Sequence, residues 1–467
     1  MASKRLHSDD TQVSFNPHHA QPIAAAQPTT MIARISLFIL LLLCPNSALP
    51  DDSEAQLLAL AGQPITAVLI EGNRVTREHV VYRELRTTAG QVLDVDLLTA
   101  DIQRLENLDI FSSIRVRAKR GGDGLSIVFT LREIPFAIPY LSSNVTDEDG
   151  WSFGPALKSV NMLGRDISIA GYALFGGKTT FFLDLDYPWI AGNHFSFHVD
   201  LGLIERLNEL DNFNEKSFEL SPSIGTYIGE RGRAHGGFSY YRFSSKQAGH
   251  TLTADRIDHL LQLHAGLGYD SRDRWGDPHI GWLNEVELRR TGGPLPGDGN
   301  FWTGHIDLRR FQPIRPTHTL VAASLLSLQS GHVGVDLPEY MDYHLGGSNT
   351  IRGYDIQQLG KTLYGKNQWL GTLEYRVSML PRREYEIFGM PSNVGLSAAL
   401  FADGGIAWNK SNEFDRQRLH VGWGLGLRIL APAVDMMRFD VGFDKEGSWR
   451  IHIASFSKMR GQRLRLR

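Results

Sequence analysis

The sequence contains almost no cysteine. Cys44 is the single one among 467 residues, which excludes a disulfide framework and a multi-cysteine metal site. An excess of one charge sign is also absent, since 48 Lys and Arg residues stand against 51 Asp and Glu residues. Nucleic-acid-binding domains normally show a basic excess, so this balance argues against that class and against a nucleic-acid partner. A chain with so few thiols suits an oxidising compartment.

A long apolar run is missing as well. The one sustained run, Ile35 to Leu43, is interrupted by Ser36 and is far shorter than the roughly 20 residues that a spanning helix requires. Arg34 precedes this run and small residues follow it, which is the pattern of a secretory signal. We therefore predict a signal peptide over residues 31–49 and export of the chain that follows.

Residues 1–30 precede this predicted signal, although export signals normally begin a chain. We expect Met31 to be the true start and residues 1–30 to be mis-called, with a disordered leader as the alternative. A lipid anchor on Cys44 is a further alternative. It is disfavoured because Leu43 occupies the place where a small residue is normally found.

Residues 63–135 mix the periodicities of strand and helix. A short apolar strand at Ile65–Ile70 is followed by a helix that Thr76 would cap, and a second helix is predicted from about Asp94 to Leu108. A hairpin around a glycine-rich turn completes the segment, with strands at 114–117 and 125–131. The pattern predicts a small β-α-α-β-β domain of the α+β class.

Beyond residue 135 helical periodicity disappears, and residues 136–456 consist of segments in which apolar and polar residues alternate. These segments run about 9 to 12 residues, the length of a tilted transmembrane strand, whereas soluble strands average about 5 or 6. Aromatic residues stand at segment ends, where girdles at the membrane surface would place them: Tyr187, Trp189, Trp282 and Trp408. We predict a mainly β protein with an antiparallel transmembrane barrel of about 16 strands. The alternative is a soluble β-sandwich, whose strands also alternate.

The N-terminal domain resembles a POTRA domain, a module that precedes outer-membrane barrels in the periplasm. The resemblance depends on the segment from Val68 to Asn73, the step from Asp109 to Ile114 into the second strand, and the glycine-rich hairpin. A generic small α+β module is the alternative. The resemblance implies a bacterial outer-membrane location with this domain in the periplasm.

The barrel segment resembles the BamA/TamA outer-membrane assembly family, also called the bacterial surface antigen family. Its most specific feature is a glycine-rich approach to Ile351, Arg352, Gly353 and Tyr354, which resembles the tip of the family's long inward-folded loop, here about Gly331 to Asn367. A second feature is the family's F-x-D-x-G strand, here Phe401, Asp403 and Gly405. Two weaker matches are Asn161–Arg165 and Tyr269–Asp273.

Strand phase can be examined without the resemblance. If Leu400, Ala402, Ile406 and Trp408 face lipid, Asp403 must face the lumen. If Leu373, Tyr375 and Val377 face lipid, Glu374 must face the lumen as well. Arginine suits such carboxylates because its planar, permanently charged group binds them bidentately. Our hypothesis is that Arg352 pairs with Asp403 and Glu374 and holds the loop inside the barrel, with Gly353 allowing a tight turn. The alternative is an ordinary loop arginine.

The resemblance implies a protein that assists assembly and insertion of other outer-membrane proteins, with membrane lipid, unfolded clients and other envelope assembly proteins as partners. The alternative is an outer-membrane transporter that secretes a polypeptide or passes a solute; a structural scaffold is a third interpretation. Motifs for catalysis or phosphate binding are missing, and 17 His residues show no metal-ligand spacing, so we predict no enzyme, cofactor or metal. Residues 457–467 form a basic tail.

Overall fold

The structure is a computed structural model that describes residues 56–146, 149–192, 194–208, 212–354, 364–387, 390–431 and 434–455. The expectations about the leader, the signal peptide, Cys44 and the basic tail concern residues outside these ranges. Among the described residues, no helix is both long enough and apolar enough to cross a bilayer.

The N-terminal domain is a three-stranded sheet covered by helices. Its sheet order is β1-β3-β2, with β1 parallel to β3 and β2 antiparallel to it. The elements are β1 (Ile65–Glu71), α1 (Glu78–Tyr82), α2 (Val95–Asn107), β2 (Phe111–Gly121) and β3 (Gly124–Glu133). Leu98 and Leu105 of α2 belong to one buried core with Ile127 and Phe129 of β3. The predicted β-α-α-β-β order is confirmed.

One detail of this domain was predicted wrongly. Thr76 does not cap α1; the N-cap is Arg77, whose side chain makes no capping bond. The Thr76 hydroxyl instead donates to Glu133 Oε1 at 2.5 Å and accepts a hydrogen bond from Asn161 Nδ2 at 2.7 Å. By contrast Asp94 caps α2, because its carboxylate accepts from the amide of Leu97 and of the residue before it.

The C-terminal part is a 16-stranded antiparallel sheet in which each strand pairs with the next barrel strand in the chain. Its strands are β4 (Ala137–Thr146), β5 (Gly150–Met162), β6 (Ile167–Gly176), β7 (Lys178–Ala191), β8 (Phe195–Asn208), β9 (Phe213–Ile228), β10 (Gly232–Ser245), β11 (Ile257–Asp270), β12 (Gly281–Gly292), β13 (Asn300–Arg315), β14 (His318–Gln329), β17 (Asn367–Ile387), β18 (Met390–Trp408), β19 (His420–Ala431), β20 (Val434–Phe443) and β21 (Trp449–Ser455). The predicted barrel and its 16 strands are confirmed. Alternation predicts them well because side chains of successive strand residues point to opposite faces.

The outer face of the barrel is apolar and the inner face polar. Phe153, Leu183, Phe238 and Leu263 are about half exposed on the outside, as lipid-facing residues are. Buried polar side chains line the inside, among them Asp184, His198, Glu285, Asp307 and Arg428. A soluble protein has the opposite arrangement, with apolar residues inside and polar residues on its surface.

The predicted aromatic girdle is only partly as expected. Trp282 is 42% exposed on the outer face. Trp408 has the outward phase but is buried, and it packs edge-on against Phe414. Trp189 contacts the N-terminal domain, because Arg83 lies 4.5 Å above its ring. Aromatic position in the sequence therefore does not separate a lipid contact from a domain contact.

The N-terminal domain contacts the turns at one end of the barrel. The amide of Arg77 donates to the carbonyl of Gly164 in the β5–β6 turn at 3.0 Å. Arg86 pairs with Glu230 beside the β9–β10 turn at 2.5 Å, and the amide of Trp275 donates to Asn107 Oδ1 at 3.1 Å in the β11–β12 turn. These contacts place the domain against the turns that follow β5, β9 and β11.

The barrel's first and last strands form a distinct seam. β4 and β21 lie side by side, yet no backbone pairing joins them in the part of the chain that the structure describes. Each of the other barrel neighbours is hydrogen-bonded. The strands at the seam are short: β21 has seven residues and β4 has ten, whereas β17 and β18 have 21 and 19.

Candidate functional site

The long loop between β14 and β17 enters the barrel from the end away from the N-terminal domain. Turns of an antiparallel barrel alternate between its ends, and the domain occupies the end of the β5–β6 turn. The loop contains a 3-10 turn at Glu339–Met341 and a two-stranded ribbon of β15 (Tyr343–His344) and β16 (Tyr364–Gly365).

The tip of this loop is a compact turn packed into the lumen wall. Thr350 Oγ1 bonds to both the amide and the carbonyl of Gly346, at 2.7 and 2.6 Å. Ile351 is fully buried, and the hydroxyl of Tyr354 donates to the carbonyl of Val421 on β19 at 3.2 Å. The predicted tip residues therefore lie at the lumen side of β18 and β19.

Arg352 lies against both carboxylates that the phase analysis placed in the lumen. Its Nε donates to Asp403 Oδ2 at 2.6 Å and its second terminal nitrogen to Oδ1 at 2.8 Å, which is a bidentate pair. Its other terminal nitrogen donates to Glu374 Oε2 at 3.2 Å. All three side chains are at most 4% exposed. The structure thus brings together Arg352, Glu374 and Asp403.

Sequence reasoning missed three members of this cluster. Asp440 on β20 accepts from Arg352 at 3.0 Å, and Arg428 on β19, fully buried, bridges Asp440 and Glu374. Arg376 adds a third arginine to Glu374, at 2.7 Å. Arg428 and Asp440 have the lumen phase of their strands, and the same alternation that placed Asp403 would have placed them.

The phase analysis was incomplete at the far end of β18. Leu400 and Ala402 are exposed on the outside as expected, whereas Ile406 has the same phase and is buried. Its strand neighbour Trp408 is buried in the same way. The inward direction of Asp403 does not depend on either residue, because its immediate neighbours fix it.

Phe401 and Gly353 have roles that a motif alone does not specify. The Arg352 guanidinium carbon lies 3.4 Å from the centre of the Phe401 ring, a cation–π contact inside the barrel. The amide of Gly353 donates to His452 Nε2 on β21 at 3.0 Å. Gly353 has a φ of +102°, a conformation that only glycine adopts readily.

Lumen-facing glycines make room for the loop tip. A Cβ atom at Gly442 would lie 2.5 Å from the amide nitrogen of Gly353, and one at Gly405 would lie 2.9 Å from Ile351 Cδ1. A Cβ atom at Gly422 would meet the Arg352 carbonyl oxygen at a still shorter distance. Gly405, the last residue of the F-x-D-x-G motif, is therefore part of the loop's seat.

The electrostatics of the cluster suit anchoring rather than proton transfer. Each carboxylate faces at least one guanidinium, and arginine stays charged at all accessible pH values. A charge-assisted bond gains strength away from bulk water, and removal of one partner leaves a costly buried charge. The arrangement can hold a loop firmly.

Comparison with known proteins agrees with this architecture. The family model described as "Omp85 superfamily domain" matches residues 161–456, which is more than half of the chain. The chain belongs to the Omp85 superfamily. A POTRA model, "Surface antigen variable number repeat", matches residues 64–133. The resemblance drawn from the loop tip and the F-x-D-x-G strand is thereby confirmed at the level of the family.

Individual relatives are distant. The outer membrane protein assembly factor BamA of Nitratidesulfovibrio vulgaris is 23% identical over 418 residues, which are 85% of this chain and 51% of that protein. The chain thus spans about half the length of this curated relative. BamA from Haemophilus ducreyi lacking POTRA domains 1-3 has a TM-score of 0.53 at 16% identity, with 84% of this chain and 83% of that one covered. CdiB from Acinetobacter baumannii has a TM-score of 0.51 at 12% identity, covering 84% and 73%. At these identities the structures show a shared fold.

Proposed function

We propose that this protein assists the folding and insertion of other outer-membrane proteins by offering a strand edge at the seam between β4 and β21. The observation that supports this proposal is the seam itself: the two strands lie side by side without backbone pairing among the described residues. Unpaired N–H and C=O groups on a strand edge are a template for another strand. The assembly role named for the relative from Nitratidesulfovibrio vulgaris agrees with it.

The proposed setting is the bacterial outer membrane, with the POTRA domain in the periplasm. The client would be an unfolded outer-membrane protein, whose strand would add to the seam by β-augmentation while the surrounding lipid is thinned. In the POTRA sheet, β2 is an edge strand that pairs only with β3 among the described residues, and it could hold the same client earlier. Other envelope assembly proteins would be further partners, and no catalytic step or cofactor is required.

The arginine–carboxylate cluster has an anchoring role in this proposal. It joins the loop tip to β17, β18 and β20 through Glu374, Asp403 and Asp440. Those strands lie on the β21 side of the seam in the sheet order, and a firmly held loop would keep them in shape while β21 separates from β4. The cluster therefore supports opening at one defined place.

A disulfide across the seam tests the proposal directly. In a Cys44→Ser background, Leu141→Cys on β4 is combined in turn with single cysteines along β21. The control is the pair Phe238→Cys and Leu263→Cys, which stand directly opposite on β10 and β11 and face lipid. The assay is the folding rate of an unfolded outer-membrane barrel into liposomes that contain the purified full chain.

We expect the oxidised seam pair to reduce client folding to the rate of protein-free liposomes and a reductant to restore it. The control disulfide should leave the rate unchanged. Acceleration that persists in a fully cross-linked seam would refute strand templating there.

Polypeptide or solute transport is the second candidate function, and the polar lumen wall favours it, with buried side chains such as His198, Glu285 and Arg233. Depletion of the protein in cells distinguishes the two. A broad fall in other outer-membrane proteins agrees with assembly, whereas loss of one secreted polypeptide or solute flux agrees with transport. An unchanged envelope would refute both.

A further inference from the structure

A histidine and two glutamates face one another across three strands of the lumen wall. His235 on β10 is directly opposite Gly266 on β11, and Gly266 is directly opposite Glu287 on β12. Glu285 precedes Glu287 by one lumen-facing position. Because Gly266 has no side chain, the His235 ring can lean over β11 towards the glutamates, and a Cβ atom at Gly266 would collide with it.

The imidazole of His235 is buried without satisfying its polar atoms. Its side chain is 8% exposed, and neither ring nitrogen has a hydrogen-bond partner among the described residues. Nε2 lies 3.8 Å from Glu285 Oε1 and 3.8 Å from Glu287 Oε2. Both distances exceed the hydrogen-bond range, and buried polar groups without partners are rare enough to require an explanation.

The same distances fit ligands around one metal ion. Zinc binds imidazole nitrogen and carboxylate oxygen at about 2.0–2.2 Å, so two ligands at tetrahedral angles stand about 3.4 Å apart and wider angles separate them further. One ligand atom from each of His235, Glu285 and Glu287 can be chosen so that all lie within 4.8 Å of one another. We propose that these three side chains bind a divalent first-row metal ion such as Zn²⁺.

The surroundings are those of a supported ligand set. Arg289 donates to Glu287 Oε1, which leaves Oε2 directed at His235. Hydrogen bonds of this kind orient ligating carboxylates in metal sites. Nitrogen together with two carboxylate oxygens suits zinc better than calcium, which prefers oxygen ligands alone. A bound ion would join β10 to β12 across β11 and stiffen this part of the wall.

Sequence spacing could not have indicated this site. His235 is separated from the glutamates by a whole strand, and only the strand register brings them together. A second group, Asp184, His198 and Asp200, also lies within ligand distance. There, however, His198 Nε2 already contacts Asp200 at 2.9 Å, so that ring has a partner.

The test measures Zn²⁺ binding to the purified full chain in detergent after chelator treatment, by isothermal titration calorimetry and by metal analysis after dialysis. The background protein and every variant carry His198→Ala, which disables the second group of possible ligands. The test variants are His235→Ala and His235→Gln, the latter keeping a polar side chain. The control is His264→Ala, a buried lumen histidine on β11 whose ring centre lies 6.3 Å from that of His235.

We expect one Zn²⁺ per chain in the background protein and in His264→Ala. Affinity should fall by more than about 100-fold in both His235 variants, since loss of even a supporting contact costs about 10- to 100-fold. Ca²⁺ should not compete. Unchanged circular dichroism identifies variants that keep the barrel. Equal Zn²⁺ binding by the background protein and the folded His235→Gln variant would overturn the proposal. The absence of saturable binding would also overturn it and would assign the space between His235 and the two glutamates to water.

Discussion

The bidentate pair of Arg352 and Asp403 should be energetically the most important link between loop and barrel. If Arg352→Met removes the guanidinium, Glu374 retains Arg428 and Arg376, and Asp440 retains Arg428. Asp403 then retains only the hydroxyl of Thr372, at 2.9 Å, as a side-chain donor among the described contacts. The charge left without compensation is therefore that of Asp403.

This asymmetry gives a magnitude. Removal of one partner from a buried ion pair costs about 3–5 kcal/mol of unfolding free energy, and Arg352→Met is expected in this range. Asp403→Asn in the same chain removes the orphaned charge. The double variant should therefore lose about 2–3 kcal/mol less unfolding free energy than the two single variants lose in sum. The corresponding coupling with Glu374→Gln should be smaller by at least about 1 kcal/mol, because Glu374 has two other arginines.

The assay is equilibrium unfolding by guanidinium in lipid vesicles, followed by tryptophan fluorescence, with unfolding rates used if refolding is incomplete. The charge swap Arg352→Asp with Asp403→Arg should recover part of the loss; full recovery is not expected, because the new aspartate stands near Glu374. Equal coupling energies for Asp403 and Glu374 would refute the reasoning, and so would a double variant that is no better than additive.

Three further predictions concern the loop and the domain contact. Gly353→Ala should destabilise the barrel by about 1–3 kcal/mol in the same assay, because a side chain is strained at its positive φ and the new Cβ would lie 2.5 Å from a carbonyl oxygen. Gly334→Ala, which also has a positive φ (+80°) but lies in open space, should cost less. Burial, and to a smaller extent Glu339, raises the pKa of Asp342 to about 7 from 3.8. The docked loop therefore binds more protons than the undocked loop between about pH 4 and 7, and protease protection of the loop should decrease as pH rises through that window. Asp342→Asn should remove this pH dependence. Thr76→Val removes the hydrogen bond from Asn161 Nδ2 to the Thr76 hydroxyl and should increase amide exchange in the β5–β6 turn, whereas the helix-surface variant Thr99→Val should not.

Much of the barrel could be predicted because alternation is a local property. A period of two residues fixes which side chains face the lumen, and this was sufficient for the strand number and for the inward direction of Glu374 and Asp403. The family likeness supplied the loop tip, since no local rule connects Arg352 to a strand 51 positions away. Phase therefore identified candidate partners, and the motif identified what approaches them.

What escaped prediction depends on contacts between distant segments. Thr76 is a residue type that favours the N-cap of a helix, but its hydroxyl is hydrogen-bonded to Glu133, 57 positions away, and to Asn161 at the barrel. Trp408 has the outward phase, yet Phe414 from the next loop covers it. The phase of Arg428 places its side chain in the lumen, but phase alone does not identify the carboxylates that it contacts. A buried arginine on a glycine-rich face signals that something negative must lie opposite.

A hydrogen bond connects the loop tip to a strand of the seam. Gly353, next to Arg352, donates its amide to His452, and His452 belongs to β21, the strand at the seam. His452 Nε2 is the acceptor of this bond, because a backbone amide can only donate. Any displacement of Arg352 from Asp403 moves the Gly353 amide as well and weakens this bond. The cluster on β17, β18 and β20 is thus mechanically linked to the edge strand, and a loop defect would change the seam without any residue of β4 being altered.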